Sequence, residues 1–160
     1  MINEKDHRKF MQLAIQLSEQ NVEQGKGGPF GAVIVKDGKA IAKSANKVTS
    51  SNDPTAHAEV SAIRAACKKL ETFDLSGCVI YTSCEPCPMC LGAIYWARLD
   101  KIYYANTKVD AAVIGFDDQF IYEELDLEMN QRKLPIIQLM REEAQIAFKK
   151  WEQSPLKIEY

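Results

Sequence analysis

Two short motifs constrain the fold of this chain more than any other feature. The first is His57-x-Glu59, and the second, thirty residues further along the chain, is Cys87-x-x-Cys90. On a regular helix with about 3.6 residues per turn, His57 and Glu59 point about 200° apart. They converge only on a point beyond the N-terminal end of a helix. Cys87 and Cys90 share one face at the start of another helix, so we expect two helix N-termini to face one point.

These side chains form a plausible set of metal ligands. His57 and two cysteines supply three protein ligands, so tetrahedral zinc would keep one position for water, as catalytic zinc sites do. The two helix dipoles favour thiolate and hydroxide at that point. Glu59 is placed to take the proton of the water. We therefore expect a catalytic zinc site at this point.

Other interpretations of the cysteines remain open from the sequence alone. Cys84 could be a fourth ligand in a closed structural site, but Glu59 would then have no role. A redox Cys87-x-x-Cys90 pair would leave His57 unexplained. Iron is the main rival to zinc for a set of imidazole and thiolate ligands.

Composition predicts one soluble globular domain over residues 1–160. Of these residues, 46% are hydrophobic and 26% are charged, which is typical of such domains. The apolar stretches are too short to span a bilayer, and the first ten residues lack the apolar core of a signal peptide. We therefore expect a cytoplasmic protein without a membrane partner. In that compartment five cysteines favour metal binding or catalysis over disulfides.

Charge weighs against a nucleic-acid partner. The net charge is −2, and the segment Asp110–Glu128 carries seven carboxylates and neither lysine nor arginine. Such a segment would repel a polyanion, although charge runs of this kind usually form an ordinary solvated surface.

Hydrophobic periodicity predicts strands that alternate with helices, and therefore an α/β sheet covered by helices on both faces. Asp37-Gly38 between two apolar runs predicts a β-hairpin. His7, in the first helix, is expected at the surface. The other predicted elements are helices around residues 10–17, 60–70, 87–98, 120–127 and 144–151, and strands at 78–82, 101–105 and 135–139.

The motif pair also carries a family resemblance. The pattern H-x-E…P-C-x-x-C is the signature of zinc-dependent nucleobase deaminases. The stretches GGPFGAVIV, NDPTAHAEVSAIRAAC, YTSCEPCPMCLGAIYWAR and AAVIGFDDQFIY resemble bacterial guanine deaminases of the cytidine-deaminase fold, closely over residues 25–122. The resemblance implies a three-layer αβα sandwich with a five-stranded mixed sheet, one Zn²⁺ per subunit, and hydrolysis of guanine to xanthine and ammonia.

The resemblance also implies roles for single residues. His57, Cys87 and Cys90 would hold zinc, and activated water would attack C2 of the purine. Glu59 would take the proton of the water, deliver it to a ring nitrogen and protonate the departing amine. The implied substrate-binding residues are Phe30, Asn46, Ala58, Trp96, Asp118 (with Asp117 as the competing choice) and Tyr160.

The resemblance further implies a homodimer in which the segment of about residues 140–160 is swapped between subunits, so that Tyr160 closes the partner's pocket. Alternative substrates are guanosine, cytosine, or adenosine in tRNA. The non-enzymatic alternative is a zinc-stabilised interaction domain. In that case Glu59→Gln would be nearly neutral, whereas in a deaminase it would abolish turnover.

Overall fold

The structure, a computed structural model, describes residues 4–160, so the first three residues of the predicted domain lie outside the described part. The chain divides into two compact units, one that ends at Gln119 and one that spans Phe120–Tyr160. Among the described residues, none of the helices combines the length and the apolar composition that crossing a bilayer requires. In chain order the elements are α1 (Glu4–Glu23), β1 (Gly31–Lys36), β2 (Lys39–Ala45), α2 (Val48–Ser51), α3 (Ala58–Leu70), β3 (Cys78–Cys84), α4 (Pro88–Trp96), β4 (Lys101–Asn106), α5 (Lys108–Val113), α6 (Gln119–Asp126), a 3-10 turn (Met129–Gln131) and α7 (Arg141–Gln153).

The first unit holds a mixed sheet in the order β2-β1-β3-β4. β1 pairs antiparallel with both β2 and β3, and β3 pairs parallel with β4. The predicted α/β class with a mixed sheet is therefore confirmed. The β1–β2 connection is the expected hairpin, in which Asp37 has φ 50° and Gly38 has φ 71°. Positive φ at both central residues is the type I′ geometry that matches the strand twist.

Helices cover both faces of this sheet. Alternate residues of each strand point to opposite sides, so apolar side chains on each face pack against a different helix. Val33, Val35 and Tyr81 pack with Phe10 and Ala14 of α1 on one face. On the other face, alanines of α3 pack against a cluster that includes Ala32, Ile34, Ile80 and Ile94. These two clusters make the three predicted layers within the first unit. The second face is the one that carries the metal-ligand motifs.

The expected number of strands is wrong. The sheet of the described residues has four strands rather than five, and the predicted strand at 135–139 has no strand conformation. Pro135 has no backbone N–H to donate to a ladder. Ile137 and Leu139 are 85% and 82% exposed. The apolar residues whose alternation predicted a strand are therefore not buried in the single chain.

His7 is also placed differently from the prediction. It is half-buried, and its Nδ1 lies 2.7 Å from the hydroxyl of Tyr81. Tyr81 is fully buried and stacks on Tyr103 with ring centroids 4.9 Å apart. Burial, followed by the neighbouring Tyr103, raises the pKa of Tyr81 to about 12. His7 therefore satisfies a buried hydroxyl on the α1 face of the sheet, opposite the metal-ligand motifs.

Candidate active site

The first ligand segment ends in a tight turn that starts α3. Asp53 Oδ1 accepts hydrogen bonds from the backbone N–H and the hydroxyl of Thr55, at 2.8 and 2.7 Å. His57 then has extended dihedral angles, φ −64° and ψ 158°, and is the N-cap residue of α3. Its carbonyl accepts the first helical hydrogen bond, from Ser61 N–H at 2.9 Å. The imidazole therefore projects from the helix end rather than from its side, as the i, i+2 spacing of His57 and Glu59 predicts.

The second ligand segment has the same design. Cys87 is the N-cap residue of α4, with φ −67° and ψ 168°, and Pro88 occupies the first helical turn. Proline is favoured there because its missing N–H would have no helical partner. The helix therefore begins one residue later than predicted and ends at Trp96 rather than Arg98. Cys90 follows in the first turn and is fully buried.

The three expected ligands meet. His57 Nδ1 lies 3.6 Å from Cys87 Sγ and 3.5 Å from Cys90 Sγ, and all three ligand atoms lie within 4.8 Å of one another. Zinc bonds of about 2.0–2.1 Å to nitrogen and about 2.3 Å to sulfur, at a tetrahedral angle, imply a nitrogen–sulfur separation of about 3.6 Å. The donor set and its spacing therefore fit zinc without rearrangement.

Protonation in the metal-free cluster follows from the same contacts. Hydrogen bonds, first from Cys90 and then from His57, lower the pKa of Cys87 to about 4. The pKa of Cys90 is raised, because its thiol donates to Cys87 and is buried. The hydrogen bond with Cys87 raises the pKa of His57. A dication would displace these protons, because thiolate and neutral imidazole are the ligand forms.

Glu59 lies beside this cluster in the interior. It is 5% exposed, and burial raises its pKa. The hydroxyl of Thr82 lies 3.4 Å from Glu59 Oε1 and 2.9 Å from the carbonyl oxygen of Cys84. A buried carboxyl whose pKa is raised is suited to proton transfer in both directions.

Cys84 lies apart from the ligand cluster. It ends β3 and is buried, and its Sγ lies 3.6 Å from the carbonyl oxygen of Thr107. Burial raises the pKa of Cys84 to about 11, so its thiol stays protonated. The group of ligand atoms found in residues 4–160 contains the other three residues and not Cys84. This geometry supports the open three-ligand site over the closed four-ligand one.

Two of the expected substrate contacts lie side by side at the start of β1 and the end of β2. Asn46 N–H donates to the carbonyl oxygen of Phe30 at 3.0 Å. Asn46 is 6% exposed, and its Oδ1 accepts from Val48 N–H at 3.1 Å. The Nδ2 donors are the part of the Asn46 side chain that this turn does not use. The ring of Phe30 packs edge-on against Phe116, with centroids 4.9 Å apart.

The remaining expected contacts divide into three groups. Ala58 is fully buried next to the ligands. Asp118 is half-buried and close enough for its charge to act on His57, and burial raises its pKa. Asp117 instead caps the next helix, accepting from Gln119 N–H at 2.9 Å, so the geometry favours Asp118. Trp96 is 67% exposed and is not a core residue, and Tyr160 in the second unit is 69% exposed.

Several residues that support the site were not predicted from the sequence. The hydroxyl of Thr82 lies beside the Glu59 carboxyl, as described above. Glu85 fixes the loop before the second motif: its backbone N–H donates to Asn106, and its Oε2 accepts from Lys108 N–H at 3.0 Å. Phe116 packs against Phe30, and the side-chain amide of Asn21 donates to the carbonyl oxygens of Gly28 and Asn46. The motifs indicate ligands, whereas these supporting partners depend on tertiary neighbours that have no local pattern.

Comparisons with known proteins agree with this site. The chain matches the model of the cytidine and deoxycytidylate deaminase zinc-binding region over residues 4–106. It is 54% identical over 155 residues to the guanine deaminase of Bacillus subtilis, covering 97% of this chain and 99% of that protein. A crystal structure of B. subtilis guanine deaminase superposes with a TM-score of 0.94 and 54% identity, covering 96% of this chain and 98% of that chain.

The tRNA-specific adenosine deaminases are a second kind of relative, with lower identity. That of Haemophilus influenzae is 31% identical over 151 residues, which is 86% of this chain and 87% of that protein. The tRNA-specific adenosine deaminase of Aquifex aeolicus is 42% identical over 96 residues, which is 60% of this chain and 63% of that protein. The match to the family model runs over residues 4–106 without a break, and it includes both ligand segments, α3 and α4. The chain belongs to the cytidine and deoxycytidylate deaminase family and binds zinc.

Proposed function

We propose that this chain is a guanine deaminase, which hydrolyses guanine to xanthine and ammonia. The observation that carries the proposal is the 54% identity to B. subtilis guanine deaminase over nearly the whole of both chains. Identity to the tRNA-acting relatives is lower: 42% over 60% of this chain for that of A. aeolicus and 31% over 86% for that of H. influenzae. The buried Glu59 beside a three-ligand cluster supplies the chemical parts that a hydrolytic deaminase needs.

His57, Cys87 and Cys90 would hold the zinc ion. Bound there, zinc supplies the Lewis acidity that makes water a nucleophile near neutral pH. Glu59 accepts one proton from the attacking water and delivers it to a purine ring nitrogen. It then takes the second proton, from the hydroxyl added to C2, and passes it to the amine, which leaves as ammonia while C2 becomes a carbonyl carbon. The Thr82 hydroxyl donates its proton to the carbonyl oxygen of Cys84, so its oxygen is available to accept from the Glu59 carboxyl when that group is protonated. The raised pKa of Glu59 lets the same group act as base and then as acid.

The neighbouring residues would hold the base. Phe30 would stack on the purine face, since aromatic stacking is a common way to hold a flipped or free base. Asn46 would donate from Nδ2 to the purine edge. Asp118 would accept from purine N–H groups, and the backbone at Ala58 would line the floor of the pocket. The edge packing of Phe116 limits how far the Phe30 ring can turn.

The test is a panel of substrates with the zinc-loaded protein. Ammonia release is measured with guanine, guanosine, cytosine, adenine and a tRNA anticodon stem-loop that carries a wobble adenosine. We expect guanine to give the highest kcat/KM, and xanthine to appear in a one-to-one ratio with ammonia. Faster release from the stem-loop would favour the tRNA function, and no release from any substrate would favour a zinc-stabilised interaction domain.

We further propose that the active form is a homodimer in which residues of about 140–160 cross to the partner. β4 is an edge strand, and its Tyr104 is 51% exposed. In the second unit, Phe148 of α7 is 71% exposed and Ile137 is 85% exposed. Ile137 belongs to a run of exposed apolar residues that also holds Leu134, Ile136, Leu139 and Met140, and clustered exposed apolar residues usually mark an interface. The segment around Ile137 could then form its predicted strand against a second copy.

This assembly can be tested with two variants that we expect to be inactive when each is assayed alone. One variant lacks Leu156–Tyr160, and the other carries Glu59→Gln. If Tyr160 acts in the partner's pocket, co-refolding the two should restore activity, because a mixed dimer has one intact Glu59 with a full tail beside it. A deletion variant that remains dimeric and fully active would contradict the role of the tail.

We also place the protein in the cytoplasm as part of this proposal. All five cysteines of the chain are free thiols in the structure. Two of them are needed as thiolate ligands, and a reducing compartment keeps them in that form.

A further inference from the structure

Asn21 occupies an unusual position for a helical asparagine. It lies in the last turns of α1 and is 6% exposed. Its Nδ2 donates one hydrogen bond to the carbonyl oxygen of Gly28 at 2.8 Å and another to that of Asn46 at 3.0 Å. Both N–H donors of one amide are therefore used to join two separate loops.

These bonds close a ring that includes both expected substrate-binding residues. Phe30 N–H donates to the carbonyl oxygen of Gly28 at 2.8 Å, and Asn46 N–H donates to that of Phe30 at 3.0 Å. The ring thus runs from Asn21 through Gly28, Phe30 and Asn46 back to Asn21. Outside the ring, the carbonyl oxygen of Asn21 accepts from Lys26 N–H at 3.0 Å, which holds the turn that follows α1.

The packing at Gly27, beside this ring, leaves no room for a side chain. A Cβ atom added at Gly27 would lie 2.6 Å from the carbonyl oxygen of Asn46 and 3.0 Å from Nδ2 of Asn21. Real Cβ atoms do not approach backbone that closely, so the loop can pass the ring only with glycine at this position. The distance between the two loops is consequently fixed by the Asn21 amide and by Gly27.

We propose that Asn21 is a positioning residue that sets the relative placement of the Phe30 ring and the Asn46 amide, and thereby the affinity and selectivity for the purine. The inference rests on the proposed function. Asn21 contacts neither the ligand cluster nor Glu59 in the hydrogen bonds of the described residues. Its loss should therefore act on KM and leave the chemical step nearly unchanged.

The main test compares Asn21→Asp with wild type. The aspartate has the same size but presents oxygen atoms to two carbonyl oxygens, so both bonds are lost. We expect KM for guanine to rise about tenfold to a hundredfold, as the loss of one to two buried hydrogen bonds allows. We expect kcat to stay within about threefold of wild type, with one zinc per chain. Ser18→Ala is the matched control, because Ser18 is a buried residue of α1 whose hydroxyl, within residues 4–160, donates to the carbonyl oxygen of Ile15 in the same helix.

A double-mutant cycle separates positioning from general destabilisation. If Asn21 acts through Asn46, adding Asn21→Asp to Asn46→Ala should raise KM by less than about threefold further, because coupled sites are not additive. Full additivity, or a fall in kcat and melting temperature with KM unchanged, would overturn the proposal. If the aspartate variant does not fold, Asn21→Ser replaces it. The same expectations apply, because serine has no amide at the Nδ2 position to bond both carbonyl oxygens.

A second readout does not depend on guanine turnover. Amide hydrogen exchange of Phe30 and Asn46 should be at least about tenfold faster in Asn21→Asp and unchanged in Ser18→Ala, because those N–H groups belong to the ring. Failure of the wild-type chain to deaminate guanine would contradict the proposed function. The exchange experiment would still test whether Asn21 holds the ring of hydrogen bonds. Unchanged exchange would overturn the proposal whatever the substrate.

Discussion

The three cysteines of the SCEPCPMC stretch should respond differently to substitution by alanine. Cys90→Ala removes one of the three proposed zinc ligands, whereas Cys84→Ala removes a buried thiol that lies against the carbonyl oxygen of Thr107. We therefore expect Cys84→Ala to keep one zinc per chain. Cys87→Ala and Cys90→Ala should lose zinc on dilution into a chelator.

The expected difference is large. Structural zinc sites with four ligands bind with roughly 10–16 kcal/mol, which is about 2.5–4 kcal/mol per ligand. Loss of one ligand should therefore weaken zinc affinity about 10²–10³-fold. Cys84→Ala creates only a small cavity and removes one weak sulfur contact. It should lower the free energy of unfolding by about 1–3 kcal/mol and change zinc affinity little.

The assay is competition for zinc with a chromophoric chelator, together with metal analysis of the purified variants. Circular dichroism of each zinc-free variant checks that the fold is retained, so that zinc loss is not a secondary effect of unfolding. Zinc loss from Cys84→Ala, with zinc kept by Cys87→Ala, would refute the three-ligand assignment and restore the closed site.

Three further substitutions test other parts of the structure. Tyr81→Phe removes the hydroxyl that contacts His7 at 2.7 Å; urea unfolding should show a loss of about 1–2 kcal/mol, and a changed kcat would contradict its placement away from the site. Phe30→Ala should raise KM for guanine roughly tenfold to a hundredfold, because stacking contributes about 1–3 kcal/mol per base, and an unchanged KM would exclude stacking. In metal-free protein, Glu59→Gln should be the more stable chain at pH 8 but not at pH 4. Burial raises the folded-state pKa of Glu59 above its ordinary value of 4.5, so the wild type loses stability as pH rises through that pKa. Equal differences at both pH values in urea unfolding would contradict this.

The ligand geometry was predictable because it depends on local rules. The i, i+2 spacing of His57 and Glu59 requires a helix end, and Pro88 after Cys87 marks the other helix start. In the structure, His57 and Cys87 are the N-cap residues of α3 and α4. The hairpin at Asp37-Gly38 was predictable for the same reason, since two adjacent positive φ values suit few residue types.

The failures share a different cause, which is dependence on distant partners. Alternation in residues 135–139 predicts a strand, but a strand exists only where a neighbour supplies the ladder, and Ile137 has none in the described single chain. His7 looked like a surface residue because its partner Tyr81 is 74 positions away. Asn21 carries no motif, and its role depends on where two loops pass the end of α1.

The most direct test of the central claim is the rate of xanthine formation from guanine by zinc-loaded wild type and by Glu59→Gln. We expect the wild type to form xanthine and ammonia in equal amounts. We expect the variant to keep one zinc per chain while losing at least about 10²–10⁴-fold in kcat. Failure of the zinc-loaded wild type to turn over guanine, or full activity in Glu59→Gln, would contradict the assignment of this buried carboxylate as the proton carrier of a guanine deaminase.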